Sequence, residues 1–170
     1  RAGGSSGTIA KAMSAYDKDF SDAVYGIEED GRYVTESRLK KMLSHETNLI
    51  EQRLSREKHP NKMFFSYANT VATIDFAKQF KGHGWVGISY QIEPDEAYNE
   101  IILHIRFKET DIRLQQETLG ILGVNLIYGA YYKNDDPKRL LRYLYDHLDK
   151  DQLEIDTINF SGPRFADVDN

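Results

Sequence analysis

Apolar residues in the first third of the chain recur every three to four positions, the period of one helical face. Ile9, Met13, Tyr16, Phe20 and Val24 predict a first helix over residues 6–25 that ends at Gly26. Asp30-Gly31 marks a turn. Thr35 then suits the cap of a second helix, in which Leu39, Met42, Leu43, Leu49, Ile50 and Leu54 face inward until His59-Pro60-Asn61 stops it. From Met63 the period shortens to two, that of strands. Phe65, Tyr67 and Val71 mark one near 63–73; Val86, Ile88, Tyr90 and Ile92 alternate across 85–92; Leu103, Ile105 and Phe107 alternate across 101–107. Pro94-Asp95 gives the last two a hairpin-like spacing, so they are expected as antiparallel neighbours.

Thr110 or Asp111 opens a third helix rich in Leu and Ile, from Leu114 through Ile127. Its glycines at 120, 123 and 129 each cost about 1 kcal/mol of helix propensity. Close backbone packing offsets such a cost, so this helix is expected at the centre, against the sheet. Pro137 suits the first turn of a fourth helix, with Leu140, Leu141, Leu144 and Leu148 inward. A last strand runs from Leu153 to Phe160, and its apolar phase slips between Ile155 and Ile158, the mark of a bulge. The order is helix, helix, three strands, helix, helix, strand. Grouped rather than alternating elements predict an α+β fold, with a mainly antiparallel sheet of about four strands packed against about four helices.

The chain has 170 residues, which fits a single domain over 1–170 with a core of its own. There is no cysteine, so disulfides, thiolate metal sites and cysteine nucleophiles are excluded, and a reducing, cytoplasmic compartment is expected. The longest apolar stretch, Leu119 to Tyr132, is too short and too interrupted for a membrane span. A formal charge of -5, with Lys and Arg interleaved among Asp and Glu, argues against nucleic acid as a partner. The chain does not begin with Met and reads as a fragment of a longer polypeptide.

Candidate chemistry falls in three places. Gly3-Gly4-Ser5-Ser6-Gly7-Thr8 leads into the first predicted helix, where free amides and the helix dipole attract phosphate or carboxylate, with Lys11 adding charge. It is not a P-loop, since Thr8 stands where that motif has Lys. A flexible loop with an ordinary cap explains the same residues. Gly82-His83-Gly84 sets a histidine, the usual acid or base at neutral pH, just before a strand, or else in a simple exposed turn. His104 and Arg106 alternate with Leu103, Ile105 and Phe107, so both point to the opposite sheet face, where Ser89 and Gln91 are expected to join them. That cluster reads as a binding floor or as a solvated face. His83 and His104 are the candidate catalytic residues, and Gly4, Ser5, Ser6, Gly7, Thr8, Lys11 and Arg106 the candidate ligand contacts. No metal site is expected, and nothing in the sequence names a cofactor. A phosphorylated small molecule, the rest of the parent polypeptide and a second copy of the chain are the expected partners. A self-packing helix at 114–132 would show as an exposed apolar patch.

Several segments taken together carry a family resemblance. These are Gly4-Ser5-Ser6-Gly7-Thr8-Ile9-Ala10-Lys11, His83-Gly84-Trp85-Val86-Gly87, residues 119–129, and Phe160-Ser161-Gly162-Pro163. The chain resembles the N-terminal portion of a group of longer bacterial proteins, from Bacteroidetes and cyanobacteria, that carry an automated label of nicotinate-nucleotide adenylyltransferase or TonB-dependent receptor. The first label implies nucleotidyl transfer. Gly82-His83-Gly84 departs from the His-x-Gly-His motif of that chemistry, and Ile88-Ser89-Tyr90-Gln91-Ile92-Glu93 departs from its Ile-Ser-x-x-x-Arg segment.

Overall fold

The computed structural model describes residues 8–15, 17–54, 56–72 and 82–166. The chain divides into two compact units, Arg1–Arg32 and Tyr33–Asn170, where a single domain is expected. The first holds one helix, α1 (Lys18–Tyr25), capped by Asp17, whose carboxylate accepts the Phe20 amide at 2.9 Å. The helix expected over residues 6–25 is therefore only its second half, although it does stop at Gly26, where φ is 95°. Residues 8–15 hold no helix despite good helix formers, and Ile9 and Met13 are exposed. So short a run lacks the length to be stable by itself, and the Asp17 cap starts the helix late.

The second unit is an α+β fold around a four-stranded antiparallel sheet in the order β1 (Phe65–Ala72), β2 (His83–Tyr90), β3 (Asn99–Phe107), β4 (Leu153–Ser161). Each strand lies beside its predecessor, and two helices, α3 (Ile112–Tyr132) and α4 (Pro137–Leu144), interrupt the path from β3 to β4. Strand alternation sends Val86, Ile88, Ile101, Leu103, Ile105 and Phe107 to one face, where they meet Leu122, Leu126 and Ala130 of α3 and Leu140 and Leu144 of α4. This is the main core. Gly123 brings α3 close to β1, since a Cβ there would stand 2.7 Å from the Tyr67 hydroxyl. Gly129 does the same for α4, with Leu140 at 2.7 Å, whereas Gly120 faces open space.

The opposite face receives α2 (Glu36–Arg53), capped by Thr35, which accepts the Arg38 amide at 3.1 Å. Leu39 and Leu43 of α2 settle over Gly87, Ala68 and Ile102 in a second, smaller core. Helix α2 packs on β1 and β2, at the end of the face away from His83. The other end of that face carries polar side chains from three strands.

Candidate functional site

The polar end of the sheet is assembled by register. His83 is the first residue of β2, inside the strand rather than before it, and pairs with Arg106; Trp85 pairs with His104. Residues paired across antiparallel strands share a face, so all four side chains rise on the same side. On β4 the expected bulge is present. His104 pairs with Thr157 and Ile105 with Ile155, which leaves Asp156 as the extra residue. The bulge turns Asp156 toward β3, where it meets two partners at once.

These groups form one hydrogen-bonded chain across three strands. Nε of Arg106 donates to Oδ2 of Asp156 at 2.7 Å, and the ring nitrogen Nδ1 of His104 lies 2.7 Å from Oδ1. His104 Nε2 lies 3.1 Å from Nδ1 of His83. The Trp85 ring leans on His104 with centroids 4.7 Å apart and also packs against the Leu39–Leu43 cluster. Burial alone would raise the Asp156 carboxyl, but hydrogen bonds from Arg106 and His104, with their charge, hold it below its ordinary value. Burial lowers His83, and the neighbouring His104 and Arg106 lower it further against a smaller opposing pull from Asp156. Both shifts favour an ionised Asp156 and a neutral His83 near pH 7.

The ionised carboxylate fixes the first proton position. An ionised carboxylate only accepts, so Nδ1 of His104 carries its hydrogen. With His104 neutral, its Nε2 lone pair accepts from the Nδ1–H of His83 and the lone pair of His83 is on Nε2; with His104 protonated, the bond between the rings runs the other way. Nε2 of His83 makes no hydrogen bond among the described residues. The terminal nitrogens of Arg106 are likewise unbonded there, and the side chain is 64% exposed. Three polar functions thus face outward: the Arg106 fork, Nε2 of His83, and Glu154, which pairs with Arg106 on the edge strand.

Of the residues predicted from sequence, the fold brings together His83, His104 and Arg106. Ser89 lies on the same face but is buried four positions beyond Trp85, paired with Glu100. Gln91 falls past the end of β2, where it accepts the Phe64 amide and its own amide binds the Pro94 and Glu96 carbonyls. Neither joins the cluster. Thr8 and Lys11 are exposed and lie ahead of α1, so Thr8 does not open a helix; Gly4, Ser5, Ser6 and Gly7 lie outside the described residues. Arg164 donates through Nε to Asn134 at 2.9 Å. Sequence reasoning missed Asp156 and the role of Trp85. The phase slip in β4 was the signal for Asp156, because a bulge re-aims the residue it inserts.

A second polar network lies at the far end of β2. Arg56 bridges Glu51, Gln91 and the Lys62 carbonyl and stacks on Phe64, while Tyr98 donates to Glu51 at 2.5 Å. Glu51, Arg56, Gln91 and Tyr98 line an open groove of about 570 Å³, but they bond to one another and clamp the loop between β2 and β3. Among the described residues no three His, Cys, Asp or Glu side chains are placed to hold a metal, and no helix is long and apolar enough to cross a membrane. No family model matches the chain, and neither a curated protein nor a solved structure matches it.

Proposed function

We propose that the polar end of this sheet face binds the phosphate group of a small molecule, a nucleotide or a phosphorylated metabolite, with Arg106 as the anion contact. The observation that supports it most is the Arg106 side chain itself. Among the described residues Asp156 holds the guanidinium through Nε alone, which leaves both terminal nitrogens in the fork geometry that suits phosphate oxygens. Sharing Asp156 with His104 reduces the carboxylate's repulsion of an arriving anion. Trp85 supplies an aromatic wall beside the pair. This reading does not call on Gly4, Ser5, Ser6, Gly7, Thr8 or Lys11.

Calorimetry and thermal unfolding with inorganic phosphate and AMP test it. Saturating ligand at a hundredfold excess over Kd should stabilise the protein by about 2.7 kcal/mol. Arg106→Ala should abolish the effect, and Arg106→Lys, which keeps charge without the fork, should weaken it. Unchanged melting with every phosphate compound, or full binding by Arg106→Ala, would end this reading.

The outer face of α3 supports a second reading, a self-association surface. Ile121, Val124, Tyr128 and Tyr132 are exposed at helical spacing, as expected of a helix that packs on a partner, and Val124 and Tyr132 are both 67% exposed. We assign this stripe to a second copy of the chain. An antiparallel pairing about Val124 sets Val124 against its own copy and Tyr128 opposite Gly120 of the copy. Gly120, with no atom near its missing Cβ, permits close approach.

A further inference from the structure

We infer that His83 is a proton acceptor backed by a relay through His104 to Asp156, and that the site takes a ligand bearing an acidic O–H beside its anionic oxygen, as a phosphate monoester does and a diester does not. The inference rests on the phosphate-binding reading and adds a direction of proton flow to it. Three distances carry it: Asp156 to His104 at 2.7 Å, His104 to His83 at 3.1 Å, and Arg106 to the same Asp156 at 2.7 Å.

Asp156 commits the Nδ1 proton of His104, His104 commits the Nδ1 proton of His83, and the remaining lone pair points away from the relay. An anion held by Arg106 alone would meet that lone pair as a repulsion. A hydrogen phosphate monoester meets it as an acceptor. Its O–H bond breaks, or is shared, as an Nε2–H bond forms on His83. The Nδ1 proton of His83 then moves to Nε2 of His104. No proton is lost, and the positive charge comes to rest on His104 against the Asp156 carboxylate.

Among the described residues the groups facing His83 are few. Arg106 and His104 stand on β3, Asp156 and Glu154 on β4, and the residue paired with it on β1 is Ala72. Burial and the two basic neighbours hold His83 below its ordinary value, which keeps the acceptor free at neutral pH. The same arrangement suits general-base chemistry on a hydroxyl or water beside a bound phosphate.

The test uses the full chain, methyl phosphate, dimethyl phosphate, and imidazole 15N spectra that report which ring nitrogen bears hydrogen. In the free protein at pH 7, His83 should carry its proton on Nδ1 and His104 on Nδ1. Methyl phosphate should bind and protonate Nε2 of His83, and dimethyl phosphate should bind about tenfold or more weakly, about 1.4 kcal/mol. His83→Gln, which removes the repelling lone pair, should bind dimethyl phosphate more tightly than the wild type does and lose the preference for the monoester. Asp156→Asn, checked for folding by its amide spectrum, should release the His104 tautomer. If both esters bind alike with Nε2 of His83 unprotonated, or if free His83 bears its proton on Nε2, the relay is wrong and the anion site stands. If neither ester binds while the tautomers are as assigned, the phosphate reading fails and the ligand class fails with it.

Discussion

Asp156 has no partner residue opposite it on β3, and for that reason it can serve two residues there. Its carboxyl is lowered by Arg106 and His104, so the folded protein holds fewer protons on it than the unfolded chain does. The resulting stability is present above the ordinary carboxyl value of 3.8 and is lost as pH falls through the lower folded value. His83 acts in the same direction at a higher window. Its folded value lies below the ordinary 6.5, so its contribution is complete above 6.5 and declines as acid protonates the unfolded chain first. We expect urea midpoints of the wild type to fall from about pH 7.5 to about pH 5.5, with an unchanged m-value, and His83→Gln to fall less. Asp156→Asn should differ in slope at about pH 4 and below, and also in the histidine window, because Asp156 pulls His83 upward. Parallel midpoint curves for wild type and His83→Gln would show that His83 titrates alike in both states.

Helix α3 illustrates how much an element's sequence can tell. Three glycines within it predict close packing, and two fulfil that, Gly123 against Tyr67 of β1 and Gly129 against Leu140 of α4, while Gly120 meets nothing. The composition shows that a helix accepts the cost; only the fold shows which glycine has a neighbour. Gly120→Ala should therefore stabilise the protein by up to about 1 kcal/mol, the propensity difference. Gly123→Ala should destabilise it by about 1–2 kcal/mol, because overpacking against Tyr67 exceeds the same gain. Urea denaturation of the two single variants decides this, and equal effects would refute the packing difference. The strands and α2 were legible because alternation and caps are local: β1, β3 and β4 begin within two residues of their expected starts, and Thr35 caps α2 as read. The candidate site was legible only by halves. His104 and Arg106 share a strand, so period two places them together, and register adds His83. Asp156 escaped because its direction depends on a mismatch between two strands, which no single run of residues displays. The first helix was overextended because Ile9 and Met13 keep the helical period while remaining exposed.

Across the second unit as a whole, the two unsatisfied surfaces lie on opposite sides of one sheet. The histidine relay rises from the face that α2 partly covers, and the apolar stripe of α3 looks outward from the helices on the other face. A copy docked on α3 therefore leaves the relay open. The stripe is one helix wide, so its buried area falls at the small end of specific interfaces, and the dimer should be weak, with a Kd in the range of about 10–100 μM. Sedimentation equilibrium of the wild type should show concentration-dependent dimerisation. Val124→Glu should abolish it, because a carboxylate at the centre of an antiparallel pairing meets its own copy. Residue 124 is 67% exposed in the protomer, so the variant should fold with a midpoint within about 0.5 kcal/mol of wild type. Its affinity for phosphate should be unchanged, since the relay and the stripe share no residue. A wild type that stays monomeric at millimolar concentration would eliminate the self-association surface, and a loss of phosphate binding in Val124→Glu would show that the two faces of the sheet are coupled.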